Sequence, residues 1–127
     1  MEERGSRVAE LLKNSGSLRL VSIAEKPSFE EIKRGSELTK EYIQLDAVHI
    51  NRIIREKYGE NCEMCRMQRD SQKKYIQLIK ETFEDKKIWI SHNLINAPIG
   101  LNGLRTLASE IYGKKVSLQD IINPNLT

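Results

Sequence analysis

Two cysteines, two histidines and Asn51 are the residues of this 127-residue chain whose types and spacing could do chemistry. Cys62-Glu63-Met64-Cys65 has the spacing that lets two thiolates reach one ion. A tetrahedral zinc site takes four ligands, and one chain offers only two sulfurs, so a second copy across a two-fold axis is the economical way to complete it. Two free thiols in a polar loop is the competing reading. A thioredoxin-type redox pair fits less well, because it wants a reactive Cys opening a helix directly after a strand, and here a polar connection separates Ile54 from Cys62. His49 and His92 are the other candidates for a site within one chain, although His49 falls inside a strand-like run, where a hydrogen-bonded core histidine is the commoner arrangement. Asn51 lies near the carboxyl end of that run, where open α/β sheets bind ligands. Its amide can donate and accept, as the edge of a nucleobase requires. A buried Asn satisfied by local backbone is the alternative.

What the sequence lacks narrows the chemistry further. A phosphate cradle needs a Gly-rich turn followed by Lys and Ser or Thr, so that backbone N–H groups converge on the phosphates. The only Gly-Lys pair, Gly113-Lys114, ends a helix, precedes Lys115, and has Ala108 at the place of the first glycine. No nucleophile, base and orienting group fall into a recognisable pattern either, so no catalytic residue is assigned.

The elements that must position these residues are read from periodicity. A first helix is expected at about residues 2 to 13, where Val8, Leu11 and Leu12 repeat at helical spacing before Ser15-Gly16. A buried strand follows over Leu18 to Ala24. Ser28 and Glu31 have capping-box spacing and predict a helix to about Ile43, with Phe29, Ile32, Leu38 or Thr39, and Tyr42 or Ile43 turned inward. Leu45 to Ile54 is a second strand. A loop at about 55 to 69 carries the cysteines, and a helix spans about Asp70 to Glu84 on the stripe Tyr75, Ile76, Ile79 and Phe83. Lys87 to Ser91 is a third strand with Trp89 in the core. Leu101, Leu104, Leu107, Ala108 and Ile111 give the cleanest helical stripe, stopped by Gly113. A last helical turn before Pro124 is expected. Helix and strand alternate with short connections, so the fold class is α/β: one domain over 1–127 with a three-stranded parallel sheet and crossover helices. Such a sheet leaves an edge that another segment or chain should pair.

Composition excludes several classes. Hydrophobic residues at 39% and charged residues at 31% suit an ordinary globular protein rather than a disordered or disulfide-stapled one. The net charge of +3 is small and interspersed, which argues against a nucleic-acid partner. No run approaches the roughly 20 apolar residues of a membrane span, and MEERGSRVAE is charged where a signal peptide is apolar. A cytoplasmic location is expected.

Several residues in order carry a family resemblance: Ile23-Ala24-Glu25 with Ser28, Glu31 and Arg34, then Val48-His49-Ile50-Asn51. Cys62-x-x-Cys65, Gln72-Lys73-Lys74-Tyr75-Ile76, and Gly100-Leu101 with Leu104 follow. On these, Leu18 to Gly113 resembles the C-terminal portion of the ArsA-type ATPases, the arsenite-pump and guided-entry, tail-anchored-protein-targeting family, and Met1 to Ser17 matches the preceding helix. The resemblance implies part of a P-loop NTPase of the deviant-Walker kind. In it Cys62 and Cys65 share a zinc ion with the same pair of a second chain in a homodimer, and Asn51 contacts adenine. It departs at His92, Ala97 and Ile99, where the family's nucleotide loop has Pro, Glu and Arg, and at Gln68, where an Arg is usual. The phosphate-loop half is not in this sequence, so ATP binding is expected only with a partner that brings one. Two roles follow: a module for zinc-bridged dimerisation and the adenine side of an ATP site, inactive alone, or one half of a split ATPase working with a separate P-loop chain.

Overall fold

The computed structural model describes residues 2–124. Three strands, β1 (Ser17–Ile23), β2 (Gln44–Ile53) and β3 (Lys87–His92), form one sheet in the order β1-β2-β3, with both pairings parallel. Helices α1 (Glu2–Ser15), α2 (Lys26–Thr39), α3 (Glu63–Thr82), α4 (Gly100–Tyr112) and α5 (Leu118–Ile122) alternate with them, and a 3-10 turn, η1 (Glu56–Gly59), precedes α3. This is the α/β architecture that the periodicity implied.

Alternation along the strands gives the sheet two faces. On one, Leu20, Val48, Ile50, Ile88 and Ile90 pack against Phe29 and Ile32 of α2 and Tyr75, Ile76 and Ile79 of α3, with Phe83 closing the cluster. Val48, Ile50 and Ile79 are wholly buried, and each such side chain contributes roughly 1.5–3 kcal/mol by leaving water. The second face is smaller and aromatic. Trp89 lies 4.9 Å from the His49 ring and 5.1 Å from Tyr112 of α4, and Arg19 reaches over it at 5.6 Å. The same Arg19 guanidinium donates to the carbonyls of Ile121 and Ile122, tying α5 to β1.

Several boundaries differ from the sequence reading, each for a local reason. α2 begins at Lys26 with Pro27 in its first turn, so Ser28 sits inside the helix and caps nothing. Its hydroxyl instead pairs with Ser22 Oγ at 2.8 Å and accepts the Ile23 N–H at 3.1 Å, stitching α2 to β1. The helix stops at Thr39, and Thr39 and Ile43 are the half-buried members of the expected pairs, while Leu38 and Tyr42 face solvent. α3 starts at Glu63, so the expected loop over 55 to 69 is replaced by η1 and two helical turns. The stripe on α4 is real but packs mainly on the edge strand β3, leaving Leu101 and Leu104 exposed. α1 likewise buries none of its residues. The capping box lies at Ser117 and Asp120, opening α5. Gly113, at φ 79, terminates α4 in a conformation that L side chains rarely adopt.

His49 sits half-buried on the aromatic face, and burial first, then the Arg19 charge, lowers its pKa below the ordinary histidine value of about 6.5. The unfolded chain therefore takes up a proton before the folded one as pH falls through the window just below about 6.5, and stability declines there. Melting temperatures of the wild type should fall between pH 7 and 5 with a slope that His49→Phe reduces. An unchanged slope in the variant would show that His49 does not carry the effect.

Candidate functional site

The carboxyl edge of a parallel sheet gathers strand ends and the turns that follow them, and Asn51 and His92 lie at such ends, on β2 and β3. Cys62 is the N-cap of α3 in extended backbone. Its Sγ accepts the Cys65 N–H at 3.1 Å, and the two sulfurs are joined as a disulfide with Cα atoms 5.2 Å apart. The pair therefore lies at the start of a 20-residue helix rather than in a loop, with the positive end of the helix dipole on the sulfurs. Among the described residues, no group of three or more His, Cys, Asp or Glu is placed to hold a metal. His49 and His92 are thus separate from the cysteines: His49 belongs to the aromatic face, and His92 to a polar cluster.

Asn51 ends the regular part of β2. Its Oδ1 accepts two hydrogen bonds, from Ser91 Oγ on β3 at 2.7 Å and from the Arg52 N–H at 2.8 Å. Both lone pairs of that oxygen are used, so Asn51 cannot accept from a ligand, and only its Nδ2 donors remain for one. The sequence reading, in which the amide donates and accepts, is narrowed to donation. Arg52 follows in the left-handed region at φ 61, and the pairing with β3 slips between Ile50 and Ile53. Beside it a cavity of about 270 Å³ is lined by Ala24, Glu25, Arg52, Gln68, Gln72 and Asn93, at the ends of β1, β2 and β3 and against α3.

A third group was not singled out as a unit from the sequence. The Glu110 carboxylate of α4 accepts the His92 backbone N–H at 2.9 Å and the His92 Nδ1–H at 2.8 Å through Oε1. Its Oε2 takes the Arg55 guanidinium at 2.8 Å. One carboxylate thereby fastens α4 to the ends of β2 and β3, where the 93–99 loop leaves the sheet. That loop and η1 enclose a second cavity, of about 440 Å³, whose walls include Arg55, Tyr58, Asn93 and Asn96. Nothing in the sequence reading pointed to Glu110, whose two partners, His92 and Arg55, lie 18 and 55 residues away along the chain.

A family model described as anion-transporting ATPase matches residues 1–113. The ATPase get3 of Aspergillus terreus and that of Aspergillus niger are each 33% identical to this chain over 96 residues, which is 75% of the chain and 24% of the relative. The chain spans about a quarter of the length of the curated relatives it matches.

Burial pushes the Glu110 carboxyl upward, but the His92 N–H, the His92 ring and the Arg55 guanidinium outweigh it and hold the carboxyl below its ordinary value. A depressed folded-state value means stability that is fully present above the ordinary carboxylate range near 4.3 and is lost as pH falls through the folded value. Glu110→Gln should cost about 1 kcal/mol at pH 7, read from chemical denaturation. The gap from wild type should close below about pH 4; a gap that persists in acid would show that the charge is not what stabilises.

Proposed function

The chain belongs to the anion-transporting ATPase family, and we propose that its role is to join two copies through a shared zinc ion and to present the base-contacting side of an ATP site. The observation that carries the first part is the cysteine pair on the end of α3. Two sulfurs held together by a helix N-cap, with no third ligand in reach among the described residues, are half of a tetrahedral set, and a two-fold axis supplies the other half. Reduction of the pair provides the two thiolates, with the Cys65 N–H already directed at Cys62 Sγ. Zinc held by four such sulfurs supplies a cross-link and leaves no open position for a substrate. Met64 and Met67, 70% and 67% exposed on the same first turns, give a second copy an apolar surface to cover. The dithiol form persists in a reducing compartment, and we place the protein in the cytoplasm on that ground.

For the second part, Asn51 offers its Nδ2 donors at the carboxyl edge of the sheet, where a ring nitrogen of adenine can accept. The sequence contains no GxxxxGK[ST] loop to bind phosphates, so hydrolysis is not assigned to these residues alone.

A split arrangement is the second reading. β1 and β3 each have a strand neighbour on one side only, and Val21 of β1 is 65% exposed, so the sheet can be extended by another chain carrying the phosphate loop.

Protein purified under reducing conditions should contain about one zinc per two chains and sediment as a dimer, and chelation should return it to monomer. The double variant Cys62→Ser, Cys65→Ser should be a zinc-free monomer. A wild-type monomer without zinc would refute the bridged dimer. For the split reading, ATP hydrolysis should appear only when this chain is mixed with a Walker-A protein from the same source; activity unchanged by adding this chain removes that reading.

A further inference from the structure

Asn51 is held by a conformation that the β2 ladder alone does not maintain. Past Ile50 the strand loses register with β3, and Arg52 takes a left-handed φ of 61, which a residue with a side chain keeps only where its surroundings enforce it. The enforcing group comes from α3. Gln72 extends its half-buried amide to the end of β2, where Oε1 accepts the Ile54 N–H at 3.0 Å and Nε2 donates to the Arg52 carbonyl at 3.2 Å. One side chain thereby makes the two backbone bonds that a neighbouring strand would make, on either side of Ile53. The Arg52 N–H, turned by the same conformation, is one of the two donors that fix Asn51 Oδ1.

We propose that Gln72 is the positioning residue for Asn51. It stands in for an absent strand, holds Arg52 left-handed, and so keeps Asn51 Oδ1 occupied and its Nδ2 donors free for a nucleobase ring nitrogen. The function assigned to Gln72 rests on the reading of Asn51 as a base contact. Gln72 and Arg52 also line the cavity of about 270 Å³ at this edge, next to Asn51 in the chain.

Nuclear magnetic resonance of the full ¹⁵N-labelled chain, with adenosine as the probe, tests this in wild type, Gln72→Ala and Gln72→Glu. Alanine preserves the helical preference of α3, so the first variant keeps the helix while removing both bonds. In Gln72→Ala the Asn51 side-chain N–H signals should shift before any ligand is added, and Ile54 amide exchange should quicken roughly tenfold. Adenosine affinity should fall about five- to tenfold. Gln72→Glu adds a pH readout. Its carboxylate can accept from Ile54 but cannot donate to the Arg52 carbonyl, whereas the protonated acid can do both. Affinity in that variant should recover as pH falls from 7 toward the carboxyl range of about 4.3, with no matching rise in wild type. A Gln that merely stabilised the fold would lower the melting temperature without producing this profile. Unaltered Asn51 and Ile54 signals in Gln72→Ala overturn the positioning role, whether or not adenosine binds. Altered signals with no adenosine response in wild type overturn the base reading and leave the positioning role in place.

Discussion

Parallel strands bury both faces and need a partner on each side, and among the described residues β2 alone has both. Val48 and Ile50 have no solvent exposure, and the two main helices of the core, α2 and α3, meet over them. Each neighbouring strand is supported on one side and makes up the deficit differently. β1 is stitched to α2 through Ser22 and Ser28 and to α5 through Arg19, whereas β3 leans on Tyr112 and on the Glu110 carboxylate. Polar side chains thus complete at the rim what hydrophobic burial accomplishes at the centre.

That division explains why the carboxyl edge is rich in side chain to backbone bonds. Between Ile50 and Ile53 the ladder with β3 slips, and backbone groups left out of it in a half-buried setting must find other partners. Gln72 serves residues 52 and 54, Glu110 serves residue 92, and the Asn93 N–H returns to the Ile53 carbonyl at 2.9 Å. Two of the three depend on helices that start or run far from these strand ends in sequence. The departures from the family pattern are absorbed into the same network: His92 engages Glu110, and Gln68 lines the cavity beside Arg52.

The strands and the order of elements were legible because buried parallel strands write themselves as short β-branched runs, and Val48, Ile50, Ile88 and Ile90 are such residues. Boundaries set by polar groups were not. Ser28 and Glu31 have the spacing of a cap, yet Pro27 already suits a helix that has begun, and the serine hydroxyl finds a better partner across the chain in Ser22. The α3 start was hidden because Glu63 to Arg69 has only the exposed Met64 and Met67 as large apolar residues, so the stripe led by Tyr75 put the start near Asp70. The α4 stripe overstated burial, since amphipathicity records what a helix can cover, not what lies beneath it. Proximity of Cys62 to Cys65 was readable from spacing; the double occupation of Asn51 Oδ1 was not, because Ser91 approaches from forty residues away.

The exposure of α1, which buries none of its residues, has a thermodynamic consequence. Fourteen residues are near the lower limit at which a helix holds itself in water, and α1 contributes no buried side chain to the cluster over β2. Its melting is therefore uncoupled from the cooperative unit formed by the sheet with α2 and α3, so helix can fray there while the aromatic face keeps its fluorescence. Far-ultraviolet dichroism and Trp89 emission would then trace different unfolding curves for one chain, a departure from two-state behaviour that arises from where a single helix is seated.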